Sequence, residues 1–236
     1  LFLNIFQKPC VLFQMPSFIH EIINDKRTNF IILSAGENRT RGQHSAKSLL
    51  YVNDEQRLLD IQINVIKKYT EENEIYVATG YQSKIITQYL LEKYPQIKII
   101  ENKNYKKTTP LESLRLCLNC CQNEDTYVIY GDKHFDINSI SFENRSSPTI
   151  VESTNSSNIK SDPGLIYQND TLKRISYGTN KKWGQIFYVP KSLFFDFRHR
   201  VNNCTKKYYN TFDIINEAAK VYEFKIHKSK NIKELS

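Results

Sequence analysis

Glycine and proline are scarce in this sequence, seven of each in 236 residues, which excludes a collagen-like chain and a Gly/Pro-rich disordered one. Cysteine is sparse and odd in number. Cys10, Cys117, Cys120, Cys121 and Cys204 make no disulfide framework in a chain long enough to bury a core without staples, and they point to a reducing compartment. The clustered three lack the second Cys pair or spaced His that would complete four zinc ligands, so they read as helix packing. No apolar run reaches the roughly eighteen residues of a membrane-spanning helix. The leader up to Ile22 is interrupted by Lys8, Pro9, Pro16 and Glu21 and lacks the basic region and clean apolar core of a secretory signal. The expectation is a cytoplasmic protein with no membrane span.

What is present is a foldable composition: 40% apolar residues, with fifteen Tyr and thirteen Phe. Thirty-three Lys and Arg against twenty-five Asp and Glu leave +8, which favours an anionic partner without separating nucleotides, phosphates, nucleic acid or a membrane surface. Nucleic acid is disfavoured because there is no recognition helix, zinc-finger spacing or aromatic RNP pattern. Residues 1–28 read as an extension or linker and 29–236 as one domain, with a change of rhythm near residue 137 dividing it into halves 29–136 and 137–236.

In the first half, apolar runs alternate with amphipathic ones. Asn29 to Gly36, Glu74 to Gly80, Ile97 to Ile100 and Thr126 to Tyr130 read as strands, while 58–69, 83–94 and 110–121 read as helices. Strands separated by crossover helices imply a mostly parallel sheet with helices on both faces, and such sheets place ligands at the strand carboxyl ends. After Ile137 the pattern predicts a strand at 149–151, a hairpin of 165–167 and 172–175 around Asn169 and Asp170, a strand at 185–189, helices within 191–201 and from 212 to 219, and a final extended stretch over 221–226.

Two constellations fall at the expected ligand edge. The first is Ser34-Ala-Gly36-Glu37-Asn38-Arg39-Thr-Arg41-Gly-Gln-His44-Ser-Ala-Lys47, a strand opening into a loop with two glycines and three strongly basic side chains. Gln43 after the second glycine breaks the Walker pattern, and Asn38 breaks the dinucleotide fingerprint. The loop is either an exposed basic segment or a polyphosphate cradle of another type. The second is Tyr130-Gly131-Asp132, where a carboxylate directly after a buried strand is either a Mg2+ ligand or a turn cap.

Together, Ile31 to Gly36, Lys47-Ser-Leu-Leu50, Leu59-Asp60 with Gln62, Val77 to Tyr81, Asn102 to Tyr105, Ser113-Leu114 and Gly131-Asp132 resemble the nucleotidyltransferase superfamily that includes nucleotide-sugar and phosphocholine-type pyrophosphorylases. The resemblance implies a Rossmann-like, GT-A-type α/β fold with a smaller acceptor-side lobe. It also implies Mg2+-dependent transfer of a nucleotidyl group from CTP or UTP to a sugar-1-phosphate or phospho head group, with release of pyrophosphate. It assigns Leu33, Ser34, Ala35, Gly36, Glu37, Asn38, Thr79 and Gly80 to the nucleotide, Lys47, Arg39 and Arg41 to phosphate charge during transfer, and Asp132 to the metal. Glu112, Glu152, Asp162, Lys182 and Trp183, with Lys160 and Gly184 nearby, would face the acceptor, although a lone Trp is also an ordinary packing residue.

The chain departs from the family pattern at three places. Asn38 and Thr40 stand where the family's loop has Gly and Arg, and Lys230 falls at the position of a second metal-binding Asp, so that either another residue such as Asp213, Glu217, Glu223 or His227 completes the site or the metal site is weakened or lost. These departures support two alternatives: a nucleotide-binding sensor or scaffold without turnover, and a glycosyltransferase on a related sheet. The absence of an Asp-x-Asp after Tyr130 speaks against the second. A homodimer and a further fused domain stay open.

Overall fold

The apolar runs of the first half have no polar side to give to water, and burial on both faces holds them as parallel strands. The computed structural model describes residues 27–37, 46–155 and 161–234. In chain order it contains β1 (Thr28–Leu33), α1 (Leu58–Tyr69), β2 (Asn73–Thr79), α2 (Ser83–Lys93), β3 (Lys98–Glu101), α3 (Pro110–Cys120), β4 (Asp125–Tyr130) and β5 (Lys133–His134). There follow β6 (Thr149–Ser153), β7 (Pro163–Gln168), β8 (Thr171–Tyr177), β9 (Lys182–Val189), α4 (Lys191–Asn202), α5 (Thr211–Ala218), β10 (Lys225–Ser229) and β11 (Lys233–Glu234).

Nine strands form one sheet in the order β3-β2-β1-β4-β9-β6-β10-β8-β7. Alternate residues of β1 define its two faces. Phe30 and Ile32 pack with Leu59, Ile63 and Ile66 of α1 and Ile86 and Leu90 of α2. Ile31 and Leu33 pack with Leu111, Leu114 and Leu118 of α3, Phe194 and Phe197 of α4, and Ile214 and Ile215 of α5. Cys117 and Cys121 are buried in this second layer, as expected for packing cysteines, whereas Cys120 is exposed, and the described cysteines are free thiols. Among the described residues no helix is long and apolar enough to cross a membrane.

The expectation of a mostly parallel sheet needs correction. Pairing is parallel through β3-β2-β1-β4 and between β6 and β10, but β9 runs antiparallel to both β4 and β6, and β7 and β8 form an antiparallel hairpin. The two-residue connection between β7 and β8 permits only antiparallel pairing. The Asn169-Asp170 turn has φ of +51° at both residues, the backbone demanded by a tight two-residue hairpin. Gly164 of β7 also pairs with Lys182 of β9, so β9, β6, β10, β8 and β7 curl into a barrel-like closure rather than an open sheet.

One buried charge stiffens the α1–α2 layer. Asp60, 1% exposed, accepts hydrogen bonds from the Tyr89 and Tyr94 hydroxyls and the Arg57 amide, and pairs with Lys93 Nζ at 3.0 Å. Burial alone would raise its pKa, but these partners outweigh burial and hold it below the usual carboxylate value of 3.8. A depressed acid stabilises the fold fully above its unfolded pKa and loses that contribution as pH falls through the folded value. We therefore expect the thermal midpoint to drop as pH falls below about 4, and to drop less steeply in Asp60→Asn, measured by calorimetry across a pH series.

Candidate active site

The carboxyl ends of β1 and β4 lie side by side, and the chain leaving each of them lines a cavity of about 190 Å3. Leu33, Ser34, Ala35, Gly36 and Glu37 supply one wall, Tyr130, Gly131 and Asp132 another, and Lys47 and Ser48 a third. The far side is Asn102, Tyr105 and the start of α3 at Thr108, Thr109, Pro110 and Ser113. An α-helix N-terminus beside such a cavity presents amide groups and positive potential to an anion.

Close approach of the two strand ends requires glycine at position 131. A Cβ there would stand 2.1 Å from Ser34 Oγ and 2.9 Å from the Leu33 carbonyl oxygen, which itself accepts the Gly131 amide at 2.9 Å. Lys47 is held from another direction, because the preceding Ala46 amide donates to Gln82 Oε1 at 2.9 Å at the start of α2.

The charged core of the site is an alternation of three ammonium groups and three carboxylates. Lys47 Nζ lies 3.5 Å from Asp132 Oδ2 and 3.6 Å from Glu234 Oε1. Lys133 Nζ lies 2.8 Å from Glu234 Oε2 and 3.6 Å from Asp132 Oδ1, and Lys182 Nζ lies 3.2 Å from Asp162 Oδ2 and 3.8 Å from Glu234 Oε2. Burial works to raise the pKa of Glu234, but Lys133 first, then Lys47 and Lys182, outweigh it and keep the carboxyl below its ordinary range.

Glu234 is the functional candidate that sequence reasoning missed. It is carried to the site by the short β11, which pairs with β5 so that Glu234 stands opposite Lys133, next to Asp132. Three contacts fix the approach. Asn231 Nδ2 donates to Asp136 Oδ2 at 2.6 Å, Ser153 Oγ donates to the Ile232 carbonyl at 3.2 Å, and the Ile232 side chain packs where Gly184 offers no Cβ. The four substitutes considered from sequence lie elsewhere: Asp213 accepts the Asn210 amide at the start of α5, Glu217 pairs with Lys206, Glu223 pairs with Lys225, and His227 bonds the Asn138 carbonyl. Lys230 is exposed ahead of β11. The available signal was Ile232, an apolar anchor two residues before an acid.

The other sequence candidates separate by position. Asn38, Arg39, Arg41, His44 and Lys160 lie outside the described residues. Thr79 is fully buried, its hydroxyl paired with Ser83, and the Gly80 side of the cavity is lined instead by Asn102 and Tyr105. Glu112 pairs with Arg115 and faces a neighbouring depression with Lys206 and Lys207. Glu152 accepts the Tyr167 hydroxyl at 2.8 Å. Trp183 is 1% exposed and stands edge-on to Tyr130, with ring centroids 5.7 Å apart.

A divalent cation is chemically compatible with this site. Asp132 Oδ1 is buried yet accepts no hydrogen bond, the Glu234 carboxylate shares Lys47 and Lys133 with it, and hard oxygen donors of this kind suit Mg2+. Among the described residues no group of three or more acidic, His or Cys side chains gathers, so further donors would come from a bound phosphate or water.

The sequence matches no protein-family model and no curated protein. The fold is nonetheless shared with solved structures of low sequence identity. CTP:phosphocholine cytidylyltransferase from Streptococcus pneumoniae is similar in structure with a TM-score of 0.69 at 17% identity, over 89% of this chain and 93% of that one. The inositol-1-phosphate CTP transferase from T. maritima gives a TM-score of 0.69 at 14% identity, over 89% of each chain. A putative glucose-1-phosphate thymidylyltransferase from Bacillus anthracis, in complex with a sucrose, gives 0.69 at 15% identity, over 88% of this chain and 89% of that one.

Proposed function

We propose that this chain transfers a nucleotidyl group from a nucleoside triphosphate to a small phosphorylated acceptor and releases pyrophosphate. The observation that carries the reading is the meeting of Lys47, Asp132 and Glu234 at the mouth of a cavity made by the β1 and β4 carboxyl ends. CTP is favoured as donor because two of the similar structures are described as CTP enzymes. UTP is the next choice, and a sugar-1-phosphate or phospho head group fits the proposed chemistry as acceptor.

A phosphate oxygen of the acceptor would attack the α-phosphorus, forming a new P–O bond as the bond to the β-phosphate oxygen breaks and pyrophosphate departs. No side-chain nucleophile is required. The Lys47 ammonium is loosely held at 3.5 Å and 3.6 Å by its carboxylates, so it can turn to a phosphate oxygen that gains charge during transfer. Asp132 and Glu234 would hold Mg2+, whose contribution is to offset charge on the triphosphate. Lys182, tied to both Asp162 and Glu234, links the β9 side to the same cluster and would face the acceptor phosphate.

One observation favours a binding-only module as the second reading: the carboxylates are each already paired with lysine. Incubation of folded protein and Mg2+ with each nucleoside triphosphate against a panel of sugar-1-phosphates and phospho head groups, read by pyrophosphate release, separates the two. Turnover highest with CTP is expected. Absence of release with every pair, alongside metal-independent nucleotide binding by calorimetry, would leave the binding-only reading standing.

A further inference from the structure

Lys133 differs from the other two lysines of the cluster. It is 2% exposed, and it lines a small recess with Trp183, Gly184, Ile232 and Glu234. Its backbone is fixed twice, by Gln62 Nε2 donating to its carbonyl at 2.7 Å and by the β5–β11 pairing with Glu234. Lys47 and Lys182 keep 23% and 17% of their side chains exposed and can meet an incoming anion. A buried ammonium must instead be satisfied where it stands, and the Lys133 partners are the two proposed metal-binding carboxylates.

We propose that Lys133 is a tethered counter-cation of the Asp132–Glu234 pair, and that a divalent ion enters the site only in competition with it. The inference rests on the nucleotidyl-transfer reading for the identity of the metal site, but it concerns how the two carboxylates are neutralised before an ion enters. A fixed positive charge at 2.8 Å and 3.6 Å from the two carboxylates opposes a second cation electrostatically, at a distance where such terms are large in a partly desolvated site. The metal therefore loads weakly alone, and the free protein avoids two adjacent uncompensated carboxylates.

The sole tryptophan of the chain, Trp183, lines the same recess and gives a direct readout: quenching of its fluorescence by paramagnetic Mn2+ in the absence of nucleotide. Half-quenching is expected at about tenfold less Mn2+ in Lys133→Met than in wild type, because the competing charge is gone, and near the wild-type concentration in Lys133→Arg. Lys133→Gln repeats the neutral substitution with an end that still hydrogen-bonds Glu234, should the methionine variant not fold. Asp132→Asn should abolish the quenching. Mn2+ binding no tighter in either neutral variant, or quenching that survives in Asp132→Asn, overturns the proposal. The transferase reading fails separately, by absent pyrophosphate release, which leaves this titration readable.

Discussion

Asp132→Asn should lower pyrophosphate release by about 100-fold or more while leaving the unfolding midpoint within a few degrees of wild type. The asparagine is nearly isosteric, so Gly131 can still press against Ser34 and the β1–β4 register need not change. Lost instead is the negative charge that Lys47 and Lys133 share and that the buried, hydrogen-bond-free Oδ1 would offer to a cation. Lys47, Lys133 and Lys182 then face only Glu234 and Asp162, and the site becomes net positive. Such a site can still attract a triphosphate, so the nucleotide KM should change less than kcat, which marks a group acting mainly in the transition state. Steady-state kinetics with pyrophosphate detection, paired with a thermal melt, decides the matter. Turnover equal to wild type removes Asp132 from the chemistry.

The first half of the fold was legible because its signals are local. Asn29 to Leu33 is apolar at every position except its first, Pro110 opens α3, and β1, β2 and β4 run into Gly or Ser-Ala-Gly where the next loop must turn. The hairpin at Asn169-Asp170 was equally readable, since those two side chains tolerate positive φ better than most. The closure of the second half was not. Register slips between β6 and β9 around Gln185, which adopts φ of +55°, and the single mark of that bulge in the sequence is Gly184 inside the strand. The site shows the same division. Lys47 and Asp132 follow strands at the ligand edge, where a sequence argument looks for them. Glu234 arrives through a two-residue strand far along the chain, and pairing over so short a stretch leaves no periodicity to read.

Trp183→Ala should destabilise the protein by about 3 to 5 kcal/mol, the range for emptying a buried aromatic site. The indole is 1% exposed, stacks edge-on to Tyr130, and belongs to the core layer that includes Phe187, Phe194 and Phe197. Its removal also undermines the neighbouring Gly184–Ile232 contact through which the last strand is seated, so Glu234 should lose its position before the sheet unfolds. Turnover is thus expected to fall along with the urea midpoint in the alanine variant, an outcome that by itself does not separate packing from acceptor contact. Trp183→Phe does separate them. The indole Nε1 is buried without a hydrogen-bond partner, so phenylalanine forfeits area and volume but breaks no polar contact. Packing predicts a modest drop in urea stability with the acceptor KM unchanged, because the ring would still fill most of the recess against Tyr130. A KM raised several-fold at unchanged stability would place Trp183 in the acceptor site instead, and would mean that the recess shared with Lys133 and Glu234 opens to the substrate during the reaction.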